Sequence, residues 1–370
     1  PWPEALPGKK IDLFDADGNF LATQTTDANG EVWFEDLVPG VYMLQEDLTV
    51  FPDDGNGYIM PSPDPDGPGG VPGGAEKRTV TVLSGQELAW EEGASERMGP
   101  LDPGQEEIVV DDGRLIFGNF LKGSIHGFKF EDANADGFYN PNDGDTPWDA
   151  DADNPVVSFE LRNEAGELVD TQTVDPSNPM DVQFWFTLLT PGFYTVTEVQ
   201  PIADYVMSSW DPSPVTITIE SGQEYVWNAG AADLLPGQVE VPLDGDDDPA
   251  TIPRQNDLMF GNYLKGSIHG FKFEDANADG FYVPDDGDAP WDADADNPVV
   301  SFELRDATGE VVDTQTVDPS NPMDGQFWFT LLDPGVYTVT EVQPIADYVM
   351  SSWDPSPVTI TIESGQEYVW

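Results

Sequence analysis

Short runs in which apolar and polar residues alternate, each cut off by glycine, proline or asparagine, make up most of this chain. Val156–Leu161 (VVSFEL), Gln183–Leu188 (QFWFTL), Phe193–Val199 (FYTVTEV) and Val215–Ile219 (VTITI) carry the pattern, as do Tyr225–Trp227 and Leu258–Leu264. A period of two puts one face of each run against a core and the other in solvent, so these runs are predicted strands. Turn residues separate them at Asn163–Gly166 (NEAG), Thr190–Gly192 (TPG) and Glu220–Gly222 (ESG). No window of useful length has the period of an amphipathic helix. With 34 Pro and 36 Gly interrupting it, the chain is predicted to be all-β, folded as two-sheet sandwiches.

The pattern also recurs on a longer scale. Lys122–Asp145 (KGSIHGFKFEDANADGFYNPNDGD) returns almost unchanged as Lys265–Asp288 (KGSIHGFKFEDANADGFYVPDDGD). Gly123, Trp148 and Trp227 reappear at one constant offset as Gly266, Trp291 and Trp370. The few differences include Asn140/Val283, Asn142/Asp285, Asn163/Asp306, Val182/Gly325 and Phe193/Val336, so the duplication is recent and the chain reads as a tandem array. Residues 1–120 form a divergent third copy. Pro1-Trp2 matches Pro147-Trp148, Thr23–Thr25 matches Thr171–Thr173, Pro39–Tyr42 matches Pro191–Tyr194, and Ile116–Phe120 matches Met259–Tyr263. Three domains are expected: 1–120, lacking its first strand and ion loop; 121–264, complete; and 265–370, lacking its last strand. Both ends fall inside a module, which predicts either a polypeptide that continues in both directions or strands donated by a neighbouring subunit. Leu121–Gly123 and Leu264–Gly266 are too short to be floppy linkers, so each module should run almost directly into the next as a stiff rod.

The first half of each long repeat, with Ile125, Phe128 and Phe130, reads as a strand. Its second half places Asp132, Asn134 and Asp136 at alternate positions before Gly137. Alternate oxygen-bearing side chains can turn to one centre, the glycine takes the sharp bend, and the carbonyl of Phe138 can point inward; this is how a hard cation is held. Asp143 stands where a twelve-residue loop places its closing carboxylate, with Asp145 as its competitor. The second copy offers Asp275, Asn277, Asp279, Phe281, Asp286 and Asp288. The expected ion is calcium. Asn140 in one loop and Val283 in the other occupy the ninth position, so water is the expected ligand there and the two affinities should differ. A weaker second site is open at Asp149, Asp151 and Asp153, repeated as Asp292, Asp294 and Asp296. Three aspartates alternating on a strand edge repel one another, yet no glycine bends the chain around them, and a solvated edge explains them equally. For Asp53–Asn56 (DDGN) and Asp244–Asp248 (DGDDD), a solvated loop is the better reading.

Charge sharpens this picture. The 71 acidic residues outnumber 13 basic ones, for a net −58. Nucleic acid is excluded as a partner, because phosphate contacts need clustered Lys and Arg. Bound divalent cations would relieve the self-repulsion of such a surface. Disorder is not expected, since 39% of residues are hydrophobic and there are 11 Trp and 20 Phe from which to build a core. The chain has no Cys, so no disulfide staples it. No apolar run approaches membrane-spanning length. Pro1 opens no signal peptide, so a mature product or a window of something longer is expected.

The pattern FGN-x-x-x-G-S-I-x-G-x-K-F-E-D-x-N-x-D-G, followed by P-G-x-Y-T-V-T-E, resembles the calcium-binding B-type repeats of bacterial surface adhesins and the related Cna B-type stalk domains. The resemblance covers both complete repeats and, more loosely, residues 1–120. It implies a tandem array of transthyretin-like (prealbumin-like, Ig-like) β-sandwiches serving as a spacer on a cell surface. The aspartate-rich stretch Asp149–Asn154 departs from the common pattern. Stalk domains of this kind join a first-strand lysine to a last-strand asparagine by an isopeptide bond, with a buried glutamate as proton shuttle. The matching positions are Lys129, Glu198 and Asn262, with partial sets at Glu46 and Asn119 and at Lys272 and Glu341. Desolvation favours the neutral amine that must attack, and a protonated carboxyl polarises the amide. The competing reading is an ordinary salt bridge from Lys129 to Glu198 or a nearby aspartate.

Trp148, Trp185, Trp210 and Trp227 could form a carbohydrate platform, but their placement in strands and turns favours packing within or between modules. His126 and His269 stand without Cys, Ser or metal-ligand spacing around them and make no catalytic constellation. The glycine-rich stretch 66–74 lacks a lysine and a helix, so it is a loop and not a phosphate cradle. The expected protein is therefore a non-enzymatic, extracellular or cell-surface structural chain, stiffened by calcium and assembled with copies of itself into a filament, fibre or stalk. The alternative is an adhesin gripping a glycan or protein through exposed aromatics and acidic loops.

Overall fold

A computed structural model describes residues 7–47, 77–95, 100–110, 115–177, 182–200, 202, 204–208, 213–228, 234, 238–242, 258–320, 325–342, 345, 348–351 and 356–369. Pro1-Trp2, Asp53–Asn56, the stretch 66–74, Trp210, Asp244–Asp248 and Trp370 lie outside these residues. The first copy contributes β1 (Lys10–Asp15), β2 (Phe20–Thr25), β3 (Gly40–Glu46), β4 (Arg78–Val82), β5 (Gln86–Ala89) and β6 (Glu106–Val109). The second contributes β7 (Gly123–Glu131), β8 (Thr146–Pro147), β9 (Val157–Asn163), β10 (Leu168–Val174), β11 (Gln183–Leu189), β12 (Gly192–Glu198), β13 (Tyr205–Met207), β14 (Val215–Ile219), β15 (Gln223–Val226), β16 (Val239–Pro242) and β17 (Met259–Leu264). The third contributes β18 (Gly266–Phe271), β19 (Phe273–Glu274), β20 (Ala289–Pro290), β21 (Val300–Arg305), β22 (Val311–Val317), β23 (Gln326–Leu332), β24 (Gly335–Glu341), β25 (Val358–Ile362) and β26 (Glu367–Val369).

One sheet recurs in all three copies: β2-β1-β3-β4, β10-β9-β12-β14 and β22-β21-β24-β25. Its strands alternate as the sequence alternates. Val157, Phe159 and Leu161 of β9, Tyr194 and Val196 of β12, and Val215, Ile217 and Ile219 of β14 all face one core. The second sheet of the middle copy is organised by β7. Along one edge β7 pairs in parallel with β15 and then β17; along the other it pairs antiparallel with β11 and then β8. A strand with neighbours on both edges and packing on both faces is buried along its length, and only Glu131 of β7 is not fully buried. Gly127 is required there: a Cβ would lie 1.9 Å from the ring of Phe184, and Gly270 stands in the same relation to Phe327.

The acidic runs after the ion loops differ from expectation. Asp149, Asp151 and Asp153 do not share a strand edge, nor do Asp292, Asp294 and Asp296. Trp148–Ala150 and Trp291–Ala293 are single 3-10 turns, because the indoles of Trp148 and Trp291 are buried in the two cores and pull the chain out of the extended form. Asn154 and Asn297 fix these turns by donating to the Trp148 and Trp291 carbonyls at 3.0 and 2.8 Å. Among the described residues no helix is long and apolar enough to cross a membrane.

Candidate metal loops and a buried lysine cluster

The first candidate loop leaves β7 at Glu131 and bends where Ala135 and Gly137 take positive φ values of 60° and 82°. Asp132 is fully buried and accepts from the Gly137 N–H at 2.7 Å. Asn134 accepts from the Asp136 N–H at 3.0 Å, and Asp136 accepts from the Phe138 N–H at 2.8 Å. Of the two candidates for the closing carboxylate, Asp145 is the one that turns inward: it is 3% exposed and ties the loop's ends by accepting from Ala133 at 2.9 Å and Asn140 at 2.8 Å. The Asp143 carboxylate is exposed and accepts from the Asn140 side-chain amide at 2.7 Å. The second loop repeats the arrangement. Asp275 accepts from Gly280 at 2.7 Å, Asp279 accepts from Phe281 at 2.8 Å, and Asp288 bridges Ala276 and Val283 at 2.9 and 2.8 Å, while Asp286 and Asn277 are exposed.

Burial pushes the Asp132 carboxyl above the usual range and Asp145 up to about 6. No lysine or arginine counts among the causes of either shift. Asp275 is pulled down, chiefly by a hydrogen bond from Ser351. The donor set, all oxygen and carboxylate-rich on a sharply bent loop, fits a hard divalent cation such as calcium. In the arrangement described, the carboxylates face the loop's own N–H groups, and among the described residues no three acidic or histidine side chains converge as ligands. Asp151, Asp153, Asp294 and Asp296 are exposed, and Asp151 and Asp294 accept from Asp153 and Asp296 N–H at 2.9 Å, as solvated turns do.

Behind the loop, strand alternation sends Lys129 into the sandwich, where it is fully buried. Its Nζ lies 2.9 Å from Glu198 Oε2, donates to the Phe260 carbonyl at 3.1 Å and contacts Asn262 Oδ1. The face of Trp148 closes the site at 4.7 Å. The structure thus brings all three sequence-predicted residues together, from β7, β12 and β17. The Nδ2 of Asn262 is buried without a hydrogen-bond partner among the described residues. In the third copy Lys272 lies 2.9 Å from Glu341. In the first, Asn119 donates to both Glu46 oxygens at 3.1 Å, and burial raises Glu46 to about 7 against the pull of Lys9 and Arg78.

Sequence reasoning missed several groups here. Gln200 donates to Glu198 Oε1 at 2.5 Å and Ser213 accepts from the Glu198 N–H at 2.8 Å. Tyr139 covers the outer face of β7, its ring 4.8 Å from Phe128 and 5.4 Å from Phe130. His126 is not a lone histidine: it packs on Trp185 at 3.5 Å and its Nδ1 lies 3.2 Å from the buried Glu224, with burial holding its pKa down to about 3. Of the candidate platform, Trp148 is core, Trp227 stacks on Phe128 at 4.4 Å, and Trp185 sits on His126.

The first loop is also where two copies meet. In the turn between β25 and β26, Ser364 donates its N–H to the Ala133 carbonyl at 2.8 Å and its hydroxyl to Glu131 at 2.8 Å. The same hydroxyl accepts from Leu264 N–H at 2.9 Å. Tyr263 and Lys265 both donate to Asp333, at 2.8 and 2.6 Å.

A sequence model of the SpaA prealbumin-like fold domain matches residues 3–56 and 292–370. The serine-aspartate repeat-containing protein D of Staphylococcus aureus (strain Newman) is 24% identical over 359 residues, 96% of this chain and 21% of its own. Both matches support reading these repeats as similar to the B-type domains carried by staphylococcal surface adhesins. Protein F of the same description, from Staphylococcus epidermidis, is 24% identical over 343 residues, 92% of this chain and 15% of its own. The chain therefore spans about a fifth, or less, of the length of these curated relatives. Among solved structures, the major pilin subunit BcpA of Bacillus cereus is 14% identical, with 99% of this chain and 95% of that one covered at a TM-score of 0.33. The Bacillus anthracis TIE protein is 17% identical, with 99% and 47% covered at a TM-score of 0.29. Neither score adds to the family match. The modules form prealbumin-like β-sandwiches, and their likeness to surface adhesins puts them in the extracellular space or on the cell surface.

Proposed function

We propose that the chain is a non-enzymatic spacer: three consecutive B-type modules, 1–120, 121–264 and 265–370, in a calcium-stiffened surface stalk, fibre or filament. The observation that carries this reading is the contact of Ser364 with Glu131 and Ala133, which puts the ion loop of one module against a turn of the next. Whatever orders the loop orders the joint. Asp132, Asp136 and Asp145, with Asn134 and the Phe138 carbonyl, would hold calcium in the first loop; Asp275, Asp279, Asp288, Asn277 and Phe281 would do so in the second. The ion would supply the positive charge that two buried carboxylates lack. A calcium titration followed by thermal unfolding, with a chelator control, tests this: melting should rise with calcium and fall back on chelation. An unchanged melting temperature contradicts it.

Lys129, Glu198 and Asn262 are positioned for an isopeptide bond. Lys129 Nζ would attack Asn262 Cγ, the C–N bond to Nδ2 would break, Glu198 would carry protons between the two nitrogens, and ammonia would leave. Intact mass decides between this and the ion pair: the bonded chain is lighter by one ammonia. The rival function, a ligand-gripping adhesin, draws on the exposure of Trp328 and Phe281, 43% and 64%; specific retention on a glycan array would favour it.

A further inference from the structure

Strand β17 of the second module lies between β13 and β7, and two of its neighbouring carbonyls are taken from opposite sides. Gly261 accepts from the Ser208 N–H at 3.0 Å, and Asn262 accepts from the Asp132 N–H at 2.9 Å. Ser208, one residue past β13, and Asp132, at the head of the first ion loop, therefore flank β17 at adjacent positions. A side chain on residue 261 would stand between them. A Cβ there would lie 2.6 Å from the Phe130 ring and 3.0 Å from the Ser208 hydroxyl, so that hydroxyl already occupies the space. Glycine at this position lets Ser208 reach across the strand, where its hydroxyl helps to hold down the Asp132 carboxyl against the effect of burial. The contact falls short of hydrogen-bond geometry, and the hydroxyl has no partner among the described residues although Ser208 is only 5% exposed. Asp132 beside it is fully buried, with no lysine or arginine among the causes of its shift. A buried hydroxyl and a buried carboxylate thus meet where neither has a positive centre to turn to. The pairing recurs in the third module, where the Ser351 side chain is the largest influence holding the Asp275 carboxyl down.

We infer that Ser208 is a ligand of the first ion site, its hydroxyl oxygen binding the divalent cation directly from outside the loop. The inference rests on the calcium reading of that loop. The loop itself offers Asp132, Asn134, Asp136, Asp145 and the Phe138 carbonyl, whereas calcium takes about six to eight oxygens. A neutral oxygen fills part of the remainder without adding to the repulsion among the carboxylates. The consequence is mechanical. An ion held by both the loop and Ser208 clasps β17 from its two edges, at the residue before Asn262.

The test uses the full chain with its second loop silenced by Asp275→Asn and Asp279→Asn, compared with and without Ser208→Ala. Terbium is the probe, because its luminescence lifetimes in light and heavy water count the waters bound to the ion; calcium affinity is read by competition against it. Ser208→Ala should bind about one more water on the ion and hold calcium about tenfold or more weakly. Its melting temperature in EDTA should match that of the parent, because the substitution breaks no hydrogen bond. An unchanged water count overturns the inference even if affinity falls, since a serine that only steadied Asp132 would leave the number of ligands as it was. A loss of stability as large in EDTA as in calcium overturns it as well, marking a purely structural residue. In both cases the calcium reading survives. If the parent chain binds neither terbium nor calcium, that reading and this inference fall together.

Discussion

A lysine flanked by Phe128 and Phe130 in a β-strand must either face out or find partners, and Lys129 finds three: Glu198, Asn262 and the Phe260 carbonyl. Removing one member of a fully buried pair leaves an uncompensated charge. Glu198→Ala should therefore destabilise the second module by about 3–5 kcal/mol in chemical denaturation. Lys129→Met combined with Glu198→Gln should cost less than Glu198→Ala alone, because no charge is stranded. Lys129 was legible because a charged side chain interrupts an apolar alternation, whereas Glu198 and Asn262 came from the resemblance to stalk domains. Glu224 was not legible, since nothing in QEYV marks one residue as the partner of a histidine on another strand. Burial of His126 sets a pH dependence. The unfolded imidazole takes up a proton near pH 6.5, whereas burial delays uptake by His126 to about 3. Protons therefore favour the unfolded state, and stability of the second module should fall as pH drops from 6.5 toward 3. Glu46 works in the opposite sense: its pKa is raised from 4.5 to about 7, so the first module should lose stability as pH rises across that interval. Urea midpoints across pH for the chain and for His126→Gln check the first; the variant should show a flatter acid limb.

At the level of elements, β7 is the member the second module cannot lose, because it pairs on both edges and is packed on both faces. Gly127→Ala places a methyl within 1.9 Å of the Phe184 ring, in a core that has no space to yield. A loss of at least 2 kcal/mol, roughly, is expected by denaturant unfolding, and Gly270→Ala should behave alike in the third module. The strands β9, β11, β12, β14, β15 and β17 were legible to within about two residues, since period-two alternation survives wherever one face is buried, whereas β10 and β13, with no fully apolar face, were not read as strands. The 3-10 turns at Pro141–Asp143 and Trp148–Ala150 were not, because three residues carry no period. The alternating aspartates were misread as a strand edge for the same reason: alternation in acids says nothing about which way the neighbouring Trp148 must turn. The strand β16, parallel to β15, escaped notice because a four-residue VEVP segment ending in proline lacks the length of a strand signal.

For the whole molecule, the joints decide behaviour. The second joint is fastened by Ser364 on Glu131 and Ala133 and by Tyr263 on Asp333, a carboxylate that Lys265 of its own module also holds. At the first joint Phe120 and Thr190 stand where Tyr263 and Asp333 do, so that hydroxyl–carboxylate bond has no counterpart. The duplication was readable from sequence, but the fastening was not, because its residues are far apart in the chain and belong to different copies. Tyr263→Phe with Ser364→Ala should leave both modules folded yet widen their distribution of angles, seen as a shorter maximum dimension in solution scattering. The most direct test of the central claim is that same scattering measurement on the unmodified chain, with saturating calcium and then with excess EDTA. Calcium binding at the joint predicts an extended particle that shortens and broadens when the ion is withdrawn; an identical profile in both conditions would contradict it.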